Sequence, residues 1–365
     1  MADILDYIDW RGDLSFESAQ FNSVDNLIFS ALSYINFSTY VSQDFSNPIS
    51  FRELLPAFKT KTKSQEQELG LFINKKTFDL FFKAAESKRY GGCLIQAHVQ
   101  ILDAESETQF SATSFTFGHK QHCIAYRGTD DSILGWKEDF NMSFMETIPS
   151  QIEALNYFEK ACKALRGTFI LVGHSKGGNL AIYTGLQCNV KDKKRIAKIY
   201  SNDAPGFLKK TIESKNFTEI KERISSFIPE FSIIGLLLNH TIPSQIVESS
   251  QTGMMSHDPF SWQVRGPAFV PSGKLNKKSS IIDTTLKNWL SSLDTRTREQ
   301  FIDSFFEAFL ATKVSTLTEL SVNWLKHSAT ILKTLHLADS KTKETIMKSL
   351  HSLLMSYIDV KLSKK

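Results

Sequence analysis

The residues best suited to chemistry lie together in Gly173-His174-Ser175-Lys176-Gly177-Gly178. This G-x-S-x-G pattern follows Thr168 to Val172, a short β-rich run apolar on both faces, and precedes a helical run from Asn179 to Gln187. A strand, a sharp turn and a helix in that order form the setting in which a serine hydroxyl attacks a carbonyl carbon. Gly173 and Gly177 let the chain reverse and let strand and helix approach closely. The backbone N–H of Lys176, at the helix start, points where an oxyanion would form. The competing reading is a tight turn around a structural serine. Strand, helix and the extra Gly178, all in register, favour the nucleophile.

A nucleophilic serine needs a base, with an acid between serine and base in the chain order of such sites. Four of the nine histidines (His98, His119, His122 and His174) precede Ser175. His327, His336 and His351 fall in helical stretches near the C-terminus. His257 lies in the turn-rich segment Gly253 to Phe260, ahead of an expected strand at Trp262, and is the preferred base. His240, which closes the apolar stretch Ile233 to Leu238, is the competitor. For the acid, Asp203 follows the expected strand Ile196 to Ser201, at the sheet end where the turn bearing Ser175 also opens. Glu230 follows the next expected strand, Ile224 to Ile228, and competes. A turn or N-cap aspartate before a helix starting near Phe207 is the plain alternative for Asp203.

The elements that must position these groups fall into three zones. Residues 1–90 are expected as a helical flank, with apolar side chains at helical spacing in Asn26 to Ile35 and again in Thr77 to Glu86. Lys59 to Glu68 is polar and aperiodic, which suggests a loop or an exposed helix start. Residues 91–275 alternate between the two periods. Cys93 to Leu102, Phe115 to Phe117 and Cys123 to Tyr126 pattern as strands, and Glu153 to Leu165 as an amphipathic helix. Strands alternating with helices imply a mostly parallel central sheet with helices on both faces, hence an α/β class. Residues 276–365 turn helical again, with Phe301, Phe305, Phe306 and Phe309 forming an aromatic stripe. That stripe is expected to pack on the core in preference to lipid.

Read together with Ala125-Tyr126-Arg127-Gly128-Thr129 and with Trp136 and Asp139, the Ser175 segment resembles the class 3, fungal-type lipase branch of the α/β hydrolases. An uncharacterised bacterial family of hydrolase-like proteins resembles the chain more closely. It pairs G-H-S-K-G-G-N with D-x-P-G-F (Asp203 to Phe207) and H-x-P-F-x-W (His257 to Trp262), and this likeness extends over residues 1–270. The resemblance implies that Thr129 supplies a second oxyanion donor beside Lys176, and Gly128-Thr129 also follows an expected strand on its own pattern. Two departures are visible. Lys176 replaces the apolar residue usual after the nucleophile, and a lipase acid would sit later, where this chain reads Phe227 to Phe231.

Composition sets the outer limits. The 365 residues are 41% hydrophobic and 22% charged, which excludes a disordered or collagen-like chain. The net charge is +4, and its lysine runs lack interleaved aromatics, so nucleic acid is not an expected partner. Cys93, Cys123, Cys162 and Cys188 are widely spaced, with no C-x-x-C pair, which fits reduced thiols and no zinc site. The acidic start and the absence of a long apolar run imply a cytoplasmic location and no transmembrane segment. The function expected is cleavage of a small-molecule or lipid ester by Ser175, His257 and Asp203 without a metal or organic cofactor. The alternative is a hydrolase-fold binding or scaffold protein without turnover. Lys176 is expected either as a solvated lysine or as a rim charge that attracts an anionic head group.

Overall fold

The computed structural model describes residues 2–65, 75–316, 319–320 and 324–363. Its frame is an eight-stranded sheet whose strands lie side by side in chain order. They are β1 (Ile49–Ser50), β2 (Leu94–Asp103), β3 (Thr108–Phe117), β4 (Gln121–Tyr126), β5 (Thr168–His174), β6 (Ile196–Asn202), β7 (Ile224–Pro229) and β8 (Gln245–Val247). Strands β1 to β4 pair antiparallel. From β4 to β8 every pairing is parallel. The change of direction follows from the connections. Short polar turns at 104–107 and 118–120 allow hairpins, whereas the later strands are joined by longer crossovers that return the chain.

Helices α1 (Ile4–Arg11), α2 (Ser23–Leu32), α3 (Phe51–Gln65) and α4 (Lys76–Glu86) cover one face of the sheet. Leu27, Phe29 and Phe81 pack there with Ile95, Phe115 and Ala125. This layer also holds a buried ion pair. Both Arg89 and Asp25 are shut off from solvent, 2.6 Å apart, and the Tyr90 hydroxyl donates to the same carboxylate. The chain continues through α5 (Ile133–Asn141), α6 (Pro149–Ala164), α7 (Lys176–Gln187), α8 (Val190–Lys193), α9 (Lys209–Ile212) and α10 (Lys215–Ile220). From the opposite face Phe158 of α6, Leu180 of α7 and Ile220 of α10 meet Ile124, Leu171 and Ile199. A mostly parallel sheet with helices on both faces, and a sharp strand-to-helix turn between β5 and α7, is the α/β-hydrolase fold.

Helices α11 (Lys277–Ser292), α12 (Thr295–Leu310), α13 (Trp324–Leu337) and α14 (Ser340–Ser363) form a further layer. Trp289, Phe301 and Phe306 pack with Ile133 and Trp136 of the α5 region, so much of the aromatic stripe turns inward. No helix among the described residues is long and apolar enough to cross a membrane.

Several local expectations change. The Phe115–Phe117 strand is only the end of β3, because both faces of β3 are buried and no alternation marks its start at Thr108. The polar stretch after Lys59 is helical as far as Gln65, as a continuation of a helix anchored by buried Phe51, Leu54 and Phe58; residues 66–68 lie outside the described residues. Trp262 follows a 3-10 turn and makes a single bridge to Ser249. The short strands there are β9 (Val264–Arg265) and β10 (Ala268–Phe269), and the helix expected near Phe207 begins at Lys209.

Candidate active site

The turn between β5 and α7 is tight because its glycines leave no room for side chains. A Cβ on Gly173 would lie 2.1 Å from the Gly177 carbonyl carbon, and one on Gly177 would lie 2.0 Å from the Tyr126 oxygen. Ser175 at the apex has a φ of 57°, a strained conformation for a residue with a side chain. Its N–H donates to the Asn202 carbonyl at 2.9 Å, which ties the turn to the end of β6. Asn202 in turn donates to the Gly173 carbonyl at 3.0 Å and exchanges side-chain hydrogen bonds with Asn26 of α2. The N-terminal helices therefore help to hold the Ser175 turn.

Asp203 follows β6 directly and is also strained, with a φ of 45°. Its carboxylate is fully buried and accepts on both oxygens. Oδ1 takes the Ser232 hydroxyl and the Gly235 N–H (3.0 Å), and Oδ2 is 2.6 Å from His257 Nδ1. That contact makes Nδ1 the protonated nitrogen of a neutral His257 and leaves Nε2 as a base. Glu230, by contrast, accepts a hydrogen bond from Ser272, and His240 donates to the Leu237 carbonyl. Neither is among the residues that line the cavity holding Ser175 and His257.

His174 braces the loop that carries His257. Its Nε2 donates to the His257 carbonyl at 2.7 Å, while Nδ1 accepts the Tyr34 hydroxyl at 3.0 Å. The two imidazoles lie 4.3 Å apart, centroid to centroid. Complete burial and the neighbouring His257 push the His174 pKa well below the usual imidazole range, so it stays neutral.

Thr129 follows β4 and donates its hydroxyl to Asp139. Burial pushes the Asp139 carboxyl up to about 6, against the opposing pull of Lys176. The Lys176 side chain overturns both expectations, the solvated lysine and the rim charge. It is fully buried, and Nζ donates to Glu138 at 2.7 Å and to the Gln109 carbonyl and side-chain oxygens at 2.8 and 2.6 Å. The ammonium is drawn inward because β3 and α5 present these acceptors behind the turn. Only its backbone remains suited to the oxyanion role.

Ser175, Thr129, Asp139 and His257 all line one cavity of about 530 Å³. Its walls are mostly apolar and include Trp136, Leu237, Leu286, Trp289 and Phe301, so α11 and α12 roof the opening. Among the described residues no group of His, Cys, Asp and Glu is placed to hold a metal ion.

Residues 84–307 match the Mbeg1-like family model, more than half of the chain, and include Thr129, Ser175, Lys176, Asp203 and His257. The chain belongs to the Mbeg1-like family. That family is a lipase-like one, and the chain has the α/β-hydrolase fold. Its structure is also similar to the crystal structure of M37 lipase, with a TM-score of 0.38 and 15% identity over 60% of this chain and 71% of that one. No curated protein sequence matches it.

The matched segment of this Mbeg1-like chain takes in α11 and most of α12 as well as strands β2 to β8. Several of its site contacts escape sequence reasoning. Ser232 and Gly235, which hold Asp203, sit just before and within a single 3-10 turn with no periodic signal. Tyr34 and Asn26 read as ordinary members of a buried helical stretch. Asp139 was visible in the Trp136 to Asp139 motif, but its bond to Thr129 was not. Roofing by α11 and α12 leaves no mark in periodicity, because an apolar face packs equally well on a sheet or over a cavity.

Proposed function

We propose that this chain is a serine hydrolase that cleaves a carboxylic ester through an acyl-enzyme. Ser175 Oγ attacks the carbonyl carbon while His257 Nε2 takes the hydroxyl proton. Asp203 fixes the His257 tautomer and stabilises the imidazolium that forms. The N–H groups of Thr129 and Lys176 donate to the tetrahedral oxyanion, each lowering the barrier by ~3–4 kcal/mol as in comparable sites. As the carbon–oxygen bond breaks, His257 returns the proton to the leaving alcohol. Water then enters, gives a proton to His257 and its oxygen to the acyl carbon, and as the acyl–Oγ bond breaks His257 passes that proton to Ser175 Oγ and a carboxylic acid leaves. Protein groups and water suffice for every step.

The observation that carries this reading is the 2.6 Å contact of Asp203 with His257, with His257 and Ser175 lining one apolar cavity. The apolar walls suit an ester with a hydrocarbon portion, a lipid or a small molecule. In this reading residues 91–275 form the catalytic core, residues 1–90 brace the turn, and residues 276–365 cover the cavity. The test combines fluorophosphonate labelling with hydrolysis of p-nitrophenyl esters of increasing chain length. Wild-type protein should label and turn over, and Ser175→Ala should do neither while its Tm stays close to wild type. An unreactive wild type, or a fully active variant, would replace this reading with a binding protein that lacks turnover.

A further inference from the structure

The residues that α11 and α12 contribute to the cavity wall are apolar with one exception, Arg298. Its Nε donates to the Leu293 carbonyl at 3.0 Å and Nη1 to the Ser143 carbonyl at 2.8 Å. Both acceptors are neutral. Nη2 makes no hydrogen bond to the described residues, and no described carboxylate forms an ion pair with the guanidinium. Asp294, one turn earlier, acts on it only at longer range and caps the Thr297 N–H at 2.7 Å.

The other ionisable groups around the cavity each have a protein partner, and only Asp139 among them leaves a buried oxygen, Oδ1, without a hydrogen bond. Asp203 pairs with His257, Lys176 with Glu138, Asp139 with the Thr129 hydroxyl, and Asp258 caps the Phe260 N–H. Arg298 thus presents a permanent, half-buried positive charge to an otherwise apolar wall. A guanidinium held by its Nε and one Nη keeps a free edge of N–H donors, a geometry that suits a carboxylate or phosphate. In such surroundings its attraction for an anion is stronger than in water.

We propose that Arg298 binds the anionic group of the substrate, so that the ester cleaved here is an amphiphile with an apolar chain and one carboxylate or phosphate. This refines the ester-hydrolase reading and moves head-group recognition from Lys176, which is buried, to a residue of the roof. A neutral ester would leave the guanidinium without a counter-charge, which is the physical origin of the discrimination.

Calorimetric titration of Ser175→Ala protein with decanoate, decyl phosphate and decanol tests binding without turnover. At least one of the anions should bind about tenfold or more tightly than decanol, and whichever binds tighter identifies carboxylate or phosphate as the group recognised. Arg298→Met should bring that ratio close to one, and Arg298→Glu should turn the preference toward decyltrimethylammonium. Equal binding of all three ligands with Arg298 in place, or an anion preference that survives Arg298→Met, would overturn the proposal. If neither Arg298 variant folds, the ratio measured with Arg298 present decides alone. An anion preference without probe labelling of the wild type would retain Arg298 as an anion site and reject the hydrolase reading. Labelling without the preference would do the reverse.

Discussion

Asp203 shows how much a single side chain can be asked to do. Its backbone is held at positive φ while its carboxylate accepts from Ser232, Gly235 and His257. In Asp203→Asn the amide oxygen can still face Ser232 and Gly235, but the NH₂ then meets His257 Nδ1 and cannot accept its proton. The imidazole must take the other tautomer, and kcat should fall on the order of 10⁴-fold with little loss of Tm. Glu230→Gln, measured beside it, should leave the rate within about twofold, since the Glu230 carboxylate accepts from Ser272, away from the Ser175 cavity. The opposite ranking would move the acid to the end of β7. Asp139 carries a different signature. Its carboxyl is raised from the ordinary aspartate range to about 6, so the folded protein holds that proton where the unfolded chain has lost it. Stability from this group is therefore present at pH 4 and lost as pH rises through about 6. Asp139→Asn mimics the protonated form, so its Tm should match wild type near pH 4 and exceed it by roughly 2–4 °C above pH 6. Parallel Tm curves across that range would show that Asp139 titrates normally.

At the scale of elements, one buried cation joins three of them. Lys176 begins α7, Gln109 belongs to β3 and Glu138 to α5, and Glu138 also accepts the Gln109 and Ser150 N–H groups. The junction fixes α5, which carries Asp139 and hence the Thr129 hydroxyl, against the Ser175 turn. Lys176→Met would leave the Glu138 charge buried without its cation. Urea unfolding should show a loss of about 3–5 kcal/mol, the usual consequence of removing one partner from a buried pair. A loss below about 0.5 kcal/mol would mean that the lysine is solvated after all.

Across the whole molecule, the cavity is closed by elements far apart in the chain. Trp289 of α11 lines it, stacks edge-on against Phe301 of α12 and donates its indole N–H to the Ser349 carbonyl of α14 at 2.9 Å. One side chain thus links the roof to the terminal helix. Trp289→Ala should destabilise the protein by about 3–5 kcal/mol and enlarge the cavity. The p-nitrophenyl ester of highest kcat/KM should then shift to a longer or bulkier acyl group. An unchanged chain-length profile in a folded variant would show that the roof does not contact substrate.

What the sequence determined by itself is local. The Ser175 turn could be read from Gly173, Gly177 and the flanking strand and helix, because the steric demand is met by residues within five positions of one another. The α/β alternation was legible for the same reason, since each period is written along a single element. The choice between Asp203 and Glu230 was not. Both follow neighbouring parallel strands, and only the folded Ser232–Gly235 loop and the arrival of His257, 54 residues away, separate them. The direction of Lys176 was hidden too. A helix-start lysine reads as solvated until β3 and α5 place Gln109 and Glu138 behind it. The roof over the cavity belongs to the same class of fact. Apolar periodicity shows that α11 and α12 must bury a face, but which surface they cover is decided by packing between segments more than a hundred residues apart, and no local pattern encodes it.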